Sequence, residues 1–167
     1  IDSLLATAYK KKVWVFSPAL VDSEYGIAAI FAKMEGKKII LDQVKDFEEL
    51  CEIGLKSKKT GAIFIGGGVP KDIIQMVAAE KGEILGGKLD YPHSFAIQIT
   101  TDSPQWGGLS GATFEEAISW GKEAKLGNNV QCYCDATIAL PLVCHALAER
   151  IKFKRKPPKF LETLFEK

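Results

Sequence analysis

The sequence has few of the residues on which several common kinds of site depend. Only two histidines occur, and none of the four cysteines forms a Cys-x-x-Cys pair, so no metal site is expected. The apolar runs are much shorter than the roughly 18 residues that suggest a membrane-spanning helix. Neither Gly-x-Ser-x-Gly nor Gly-x-Gly-x-x-Gly is present, so the usual serine-nucleophile and Rossmann fingerprints are missing.

The chain also lacks an excess of charge of either sign. A formal net charge of +1 argues against nucleic acid or a membrane surface as a partner. An apolar content of 47% over 167 residues is typical of one globular domain, and we expect a single domain over residues 1–167. Its cysteines are expected to be reduced thiols in a cytoplasmic protein. Residues 152–167 are expected to form a basic, exposed tail.

Apolar runs alternate with amphipathic segments along the chain. Strands are predicted at residues 12–20, 38–42, 61–65, 94–99 and 130–134. Helices are predicted at residues 22–34, 46–58, 70–81, 113–120 and 138–151. Capping boxes mark the helix starts at Asp46 and Thr113, and Pro141 is expected in the first turn of the last helix. This alternation predicts an α/β, Rossmann-like fold with a mostly parallel sheet and helices on both faces.

Polar, glycine-rich turns follow several of the predicted strands. They lie at residues 17–23, 66–71, 100–111 and 135–136. Because ligands of such sheets bind at the carboxyl ends of the strands, we expect these turns to meet at one edge.

One glycine-rich loop leads into a short helix that stops at Trp120-Gly121-Lys122. Glu116 and Trp120 are four residues apart and share a helical face, so an acid and an aromatic ring lie beside a lysine. An acid and an aromatic face suit an organic cation, and a lysine in such surroundings can become a nucleophile. From the pattern alone, a capping glutamate, a core tryptophan and a solvated lysine explain the same residues.

Four motifs together resemble the deoxyhypusine synthase family, in that family's order and at similar spacing. They are Gly66-Gly67-Gly68-Val69-Pro70-Lys71, Ser110-Gly111, Ile118-Ser119-Trp120-Gly121-Lys122 and Cys134-Asp135-Ala136-Thr137. The resemblance covers nearly the whole chain and matches the C-terminal half of that family.

The resemblance implies a role for each matched residue. Lys122 would form an imine with the substrate. The residues that would bind the amine are Glu116, Trp120, Gly67, Asp72, Gly108 and Leu109. The residues that would contact NAD are Asp22, Gly66, Gly67, Gly68, Thr101, Asp135 and Ala136.

The implied activity is an NAD-dependent aminobutyl transfer. The aminobutyl group of spermidine or a related polyamine would pass through the lysine imine to a lysine of translation factor 5A. Two alternatives stay open: transfer to a free diamine such as putrescine, giving homospermidine, and a non-catalytic NAD-binding subunit. The family also implies a tetramer, homomeric or heteromeric, and an N-terminal half chain as a partner.

Four positions differ from the family's usual pattern. Ile27, Trp106 and Leu109 stand where acids are usual, and Asp72 stands where a histidine is usual. The lysine is therefore kept while the amine pocket is changed, which resembles the divergent deoxyhypusine-synthase-like branch.

Overall fold

Three strands and six α-helices make up most of the regular structure in the part of the chain that is described. The computed structural model describes residues 3–84 and 92–152. The helices are α1 (Leu4–Lys11), α2 (Glu24–Met34), α3 (Gln43–Lys56), α4 (Val69–Ile84), α5 (Phe114–Ser119) and α6 (Ala136–Arg150). The strands are β1 (Gly61–Ile65), β2 (His93–Thr100) and β3 (Glu123–Tyr133).

The strands form one parallel sheet in the order β1-β2-β3. Ile63 pairs with Ile97, which pairs in turn with Val130. Parallel neighbours need crossover connections, and α4 and α5 lie in the two that link these strands. The sheet with its surrounding helices confirms the predicted α/β class and is consistent with a Rossmann-like fold.

The core lies on one face of this sheet. Ala62, Phe64 and Ala96 from the strands pack with Phe114 of α5, and Ile74 of α4 packs against them. The alternating burial of β1 places Ile63 on the opposite side, where it is exposed. The buried face therefore carries α4 and α5, and these two helices supply most of the site described below.

The strands predicted at residues 12–20 and 38–42 are not formed, which corrects the sequence interpretation. Residues 13–16 and 37–42 have no regular structure, and Leu20–Asp22 is a short 3₁₀ helix. A strand exists only through hydrogen bonds to a neighbouring strand. An apolar run therefore predicts a strand only where such a neighbour is available.

Two helix boundaries also differ from the predictions. α3 begins at Gln43 rather than at Asp46, because the carboxylate of Asp42 accepts a hydrogen bond from the Lys45 backbone N–H at 3.0 Å. Such a contact is typical of a helix N-cap. α6 begins at Ala136, so Pro141 lies in its second turn and not in the first.

The chain divides into two compact units, Ile1–Asp46 and Phe47–Lys167. In the first unit, the Gln43 side chain donates to the Pro18 carbonyl at 3.0 Å, and the Ser23 hydroxyl donates to the Leu20 carbonyl at 2.6 Å. The second unit contains the sheet. The expectation of a single domain stays a prediction, and the basic tail beyond Lys152 lies outside the described residues. No helix in the described ranges has the length and apolarity to cross a membrane.

Candidate active site

The C-terminal end of α5 positions the backbone of Lys122. The Lys122 N–H donates to the Ala117 carbonyl at 2.9 Å, and the Gly121 N–H donates to the Ile118 carbonyl at 3.1 Å. These two bonds are a Schellman motif, whose left-handed position is occupied by Gly121 at a φ of 71°. The Lys122 carbonyl then accepts from the His93 N–H at 3.1 Å. The lysine backbone is thus fixed between the helix end and the sheet.

The Lys122 side chain lies in a cleft of about 60 Å³, which we call the lysine cleft. Its Nζ donates to Asp72 Oδ1 at 3.0 Å, and both side chains are about a quarter exposed. The cleft is lined by Lys71, Asp72, Gln75, Leu109, Ala112, Thr113, Glu116, Ala117, Trp120 and Lys122. The ion pair therefore faces a small space that is lined by polar and charged side chains.

Glu116 and Trp120 both line the lysine cleft. The Glu116 N–H donates to the Thr113 hydroxyl at 3.2 Å, which confirms Thr113 as the N-cap of α5. Trp120 is 68% exposed, so the interpretation of this residue as core tryptophan is wrong. Lys122 is paired with Asp72 rather than simply solvated.

Lys71 lines the same cleft but is only 3% exposed. Its Nζ donates to Gln98 Oε1 at 3.1 Å, to the Leu109 carbonyl at 3.2 Å and to the Ala112 carbonyl at 2.7 Å. Burial lowers the pKa of Lys71, while the nearby carboxylates of Glu116 and Glu123 oppose that effect. Since an ammonium has three N–H donors, all of them are used, and Lys71 is poorly suited to act as a nucleophile.

Glu123 is a buried carboxyl group directly after the cleft lysine. It is 2% exposed, and Gln75 Nε2 contacts its Oε1 at 3.4 Å. Its Oε2 has no hydrogen-bond partner among the residues that the structure describes. Burial raises the pKa of Glu123 to about 7, although the Gln75 contact and the Lys71 charge oppose that effect. This carboxyl group therefore changes its charge near neutral pH.

A second space, the strand-end cleft, lies at the carboxyl end of β2 and measures about 320 Å³. It is lined by Gly66, Ile99, Thr100, Thr101, Asp102, Ser110, Asp135 and Ala136. Asp135 caps α6 through Oδ1, which accepts from the Thr137 N–H at 2.8 Å and from its hydroxyl at 2.6 Å. These bonds lower the pKa of Asp135. The cleft thus combines a helix N-terminus, a carboxylate and backbone at strand ends.

The predicted site residues fall into groups. The lysine cleft brings together Lys122, Asp72, Glu116, Trp120 and Leu109. The strand-end cleft brings together Gly66, Thr101, Asp135 and Ala136.

The other predicted positions lie elsewhere. Gly67 lines a third cleft beside β1, Gly68 follows it in the same turn, and Gly108 lies outside the lining of both clefts. Asp22 belongs to the first unit. The roles suggested for all these residues stay predictions.

The buried polar residues at the site for which the sequence predicts no role are Lys71, Gln75, Gln98 and Glu123. Lys71 belongs to one of the motifs that carry the family resemblance, whereas the other three lie outside them. A side-chain amide or a charged group inside an apolar strand, or at its start, is a signal for such a residue, because a buried polar group needs hydrogen-bond partners. Within the described ranges, no group of three or more His, Cys, Asp or Glu side chains could hold a metal ion.

The sheet and the lysine cleft define an α/β protein that presents a primary amine to a small polar space. Comparison with known proteins is specific: the family model "Deoxyhypusine synthase" matches residues 1–147. The chain belongs to the deoxyhypusine synthase family.

The curated proteins that match this chain carry the same family name. The chain is 48% identical over 163 residues to a probable deoxyhypusine synthase 2 of Methanosarcina acetivorans, covering 95% of this chain and 46% of the relative. It is 52% identical over 149 residues to a probable deoxyhypusine synthase 2 of Archaeoglobus fulgidus, covering 87% and 47%. A deoxyhypusine synthase-like protein of Nostoc is 36% identical over 170 residues, covering 98% and 43%. The chain therefore spans about half the length of the curated relatives it matches.

Proposed function

We propose that this chain carries the catalytic lysine of an NAD-dependent aminobutyl transferase. The donor is spermidine or a related polyamine, and the acceptor is a lysine of translation factor 5A. The observation that carries this proposal is the placement of Lys122 Nζ in a cleft, 3.0 Å from the Asp72 carboxylate, with Glu116 and Trp120 in the same lining.

The ion pair offers Lys122 a way to lose its proton. A lysine attacks carbon only as the free amine, and the Asp72 oxygen is within hydrogen-bond distance of the ammonium. Asp72 would accept that proton as the Lys122 nitrogen bonds to the imine carbon of the oxidised donor. The bond between that carbon and the donor's secondary nitrogen then breaks, and the propane diamine leaves after taking up a proton. The acceptor amine attacks the same carbon next and frees Lys122.

Glu116 and Trp120 suit the cationic end of the donor. A carboxylate and an aromatic face both attract an ammonium group. Because Asp72 is already paired with Lys122, Glu116 is the remaining acid in the lining of the lysine cleft. We assign to Glu116 the binding of the donor's primary amine.

The strand-end cleft offers groups that suit part of a nicotinamide dinucleotide. Gly66 offers backbone for close approach, and Asp135 keeps Oδ2 outside its bonds to Thr137 and so available to a ribose hydroxyl. Ala136 at the start of α6 lines the same space, and helix N-termini favour the negative charge of phosphates. When bound there, NAD would supply the acceptor for a hydride of the donor amine and the source of its return after transfer.

A free diamine such as putrescine is the alternative acceptor. Leu109 lines the lysine cleft where the family usually has an acid, and Trp106 is exposed outside that lining. The acids in that lining are therefore Asp72 and Glu116, and this change in the amine pocket is the reason to test a second acceptor. In either case, the active assembly would be a cytoplasmic tetramer that includes the half of the family's length not matched here.

The test is to trap the lysine imine. The assembly that contains this chain is incubated with NAD and labelled spermidine, reduced with borohydride and digested for mass spectrometry. The label should appear on the peptide that contains Lys122 and disappear in Lys122→Ala. The matched control is Lys125→Ala, which removes an exposed lysine three residues further on, in β3, and should leave the label in place. Labelling of Lys71 or Lys125 would refute the assignment.

Unlabelled reactions with putrescine and with translation factor 5A, run side by side, separate the two acceptors. Homospermidine without modified factor would support the diamine, and the reverse result would support the protein lysine.

A further inference from the structure

Gln98 uses every hydrogen-bonding position of its side chain. It is 0% exposed in the middle of the sheet. Its Oε1 accepts from Lys71 Nζ and from Gln131 Nε2, both at 3.1 Å. Its Nε2 donates to the Gly66 and Ser110 carbonyls, both at 2.8 Å. An amide has two donors and one oxygen with two lone pairs, so this side chain is fully satisfied.

The two carbonyls that Gln98 holds belong to segments that touch each other. Gly66 begins the turn between β1 and α4, and Ser110 lies in the loop between β2 and α5. A Cβ atom on Gly67 would lie 2.4 Å from the Ser110 Cα, which leaves no room for a side chain. The turn and the loop therefore pack backbone against backbone above Gln98.

That loop is a wall shared by the two clefts. Ser110 lines the strand-end cleft, while its neighbour Leu109 lines the lysine cleft. Lys71 binds the Leu109 and Ala112 carbonyls from the lysine-cleft side and is itself held by Gln98. A shift of the loop would therefore change the shape of both clefts together.

We infer that Gln98 is a positioning residue that couples the two clefts, so that filling one changes the affinity of the other. The inference rests on the proposed function, in which NAD occupies the strand-end cleft and an amine occupies the lysine cleft. Gln98 acts through the Gly66 turn and the 109–112 loop and does not contact either ligand.

The experiment measures this coupling in the assembly that contains this chain. Calorimetry gives the dissociation constant of spermidine with and without saturating NADH, which would fill the strand-end cleft but cannot oxidise the donor, and the ratio of the two is the coupling factor. For the wild type we expect a factor of at least about 5, within the usual range for coupled sites. Gln98→Met keeps the length of the side chain but makes none of the four bonds, and its coupling factor should fall close to one.

Two further variants separate coupling from folding. Gln131→Met removes one bond to Gln98 but touches neither the turn nor the loop, so it should keep the wild-type factor. Gln98→Glu keeps an acceptor for Lys71 but cannot donate to the Gly66 and Ser110 carbonyls. It should lose the coupling even if Gln98→Met fails to fold.

The remaining outcomes distinguish a failure of the inference from a failure of the proposed function. An uncoupled wild type, an unchanged factor in both Gln98 variants, or an equal loss in Gln131→Met would overturn the inference while leaving the proposed function intact. A wild-type assembly that binds neither NAD nor spermidine would instead refute the proposed function, and the inference with it.

Discussion

Lys71 and Lys122 line the same cleft but differ in their burial and in the number of their hydrogen-bond acceptors. Lys71 is buried and has three oxygen acceptors, two of them backbone carbonyls of the 109–112 loop. Among the described residues, Lys122 has one acceptor, the Asp72 carboxylate, and it lies partly open to the cleft. A fully coordinated lysine orders the structure, whereas a lysine with a single proton acceptor at an open face is free to react.

The largest effect should come from removing the reactive lysine. Lys122→Ala should abolish aminobutyl transfer, because no other amine in the cleft is free to form the imine. Affinity for NAD, measured by calorimetry, should stay within about twofold of the wild type, because the lysine acts only on the oxidised donor. Transfer at wild-type rate by Lys122→Ala would erase the distinction between the two lysines.

Asp72→Asn should lower kcat by about 100-fold, in the range lost when a general base is removed. The amide keeps the shape of the side chain but does not take the proton from Lys122. KM for spermidine should change little, which steady-state kinetics would show. A large rise in KM at unchanged kcat would instead make Asp72 an acid that binds the substrate amine.

Lys71→Met should lower stability much more than Lys122→Met. It leaves the Leu109 and Ala112 carbonyls without this donor, and we expect a loss of about 2–3 kcal/mol in the free energy of unfolding. Lys122→Met should cost less than about 1 kcal/mol, since partly exposed ion pairs contribute little. Urea denaturation of both variants measures the difference, and equal losses would contradict it.

Glu123→Gln tests the buried carboxyl group behind the two lysines. Because folding raises the pKa of Glu123 to about 7, the folded chain binds more protons than the unfolded chain between the two pKa values. The contribution of this group to stability is therefore full below its unfolded pKa and is lost as the pH rises through about 7. The variant should gain up to about 3 kcal/mol relative to the wild type between pH 5 and pH 8, on the order of 1.4 kcal/mol per pKa unit.

The readout for Glu123→Gln is the difference between the two unfolding free energies at several pH values. Glu115→Gln is a matched control, because that glutamate is exposed on α5. A difference that does not vary with pH would show that Glu123 titrates normally.

Glu116→Gln should have the smallest effect. Losing a charged partner for the donor ammonium should raise KM for spermidine by roughly 10-fold, equivalent to about 1.5 kcal/mol. NAD affinity and kcat should be nearly unchanged. Glu115→Gln again serves as the control, and an equal rise in its KM would point to general surface charge rather than to the cleft.

Local pattern was enough to predict much of the second unit. The apolar run before Gly66 predicted β1, and Thr113 with Glu116 predicted α5, because capping and periodicity act over a few residues. The strands predicted at residues 12–20 and 38–42 are not formed, because strand formation is not decided by local pattern alone. A strand depends on a neighbour that can be far away in sequence, and a short apolar run does not reveal one.

The sequence by itself determined the α/β class and the family, and it predicted Lys122 as the nucleophile, since these follow from local periodicity and from motifs in order. It also placed Glu116 and Trp120 on one face of α5, because a helical spacing of four fixes that geometry. Only the tertiary structure decided that Asp72, fifty residues from Lys122 in the chain, is its partner. It alone identified Gln98 as the link between the turn and the loop. Such contacts join crossing elements, and the energy of satisfying a buried polar group depends on neighbours that local sequence does not specify.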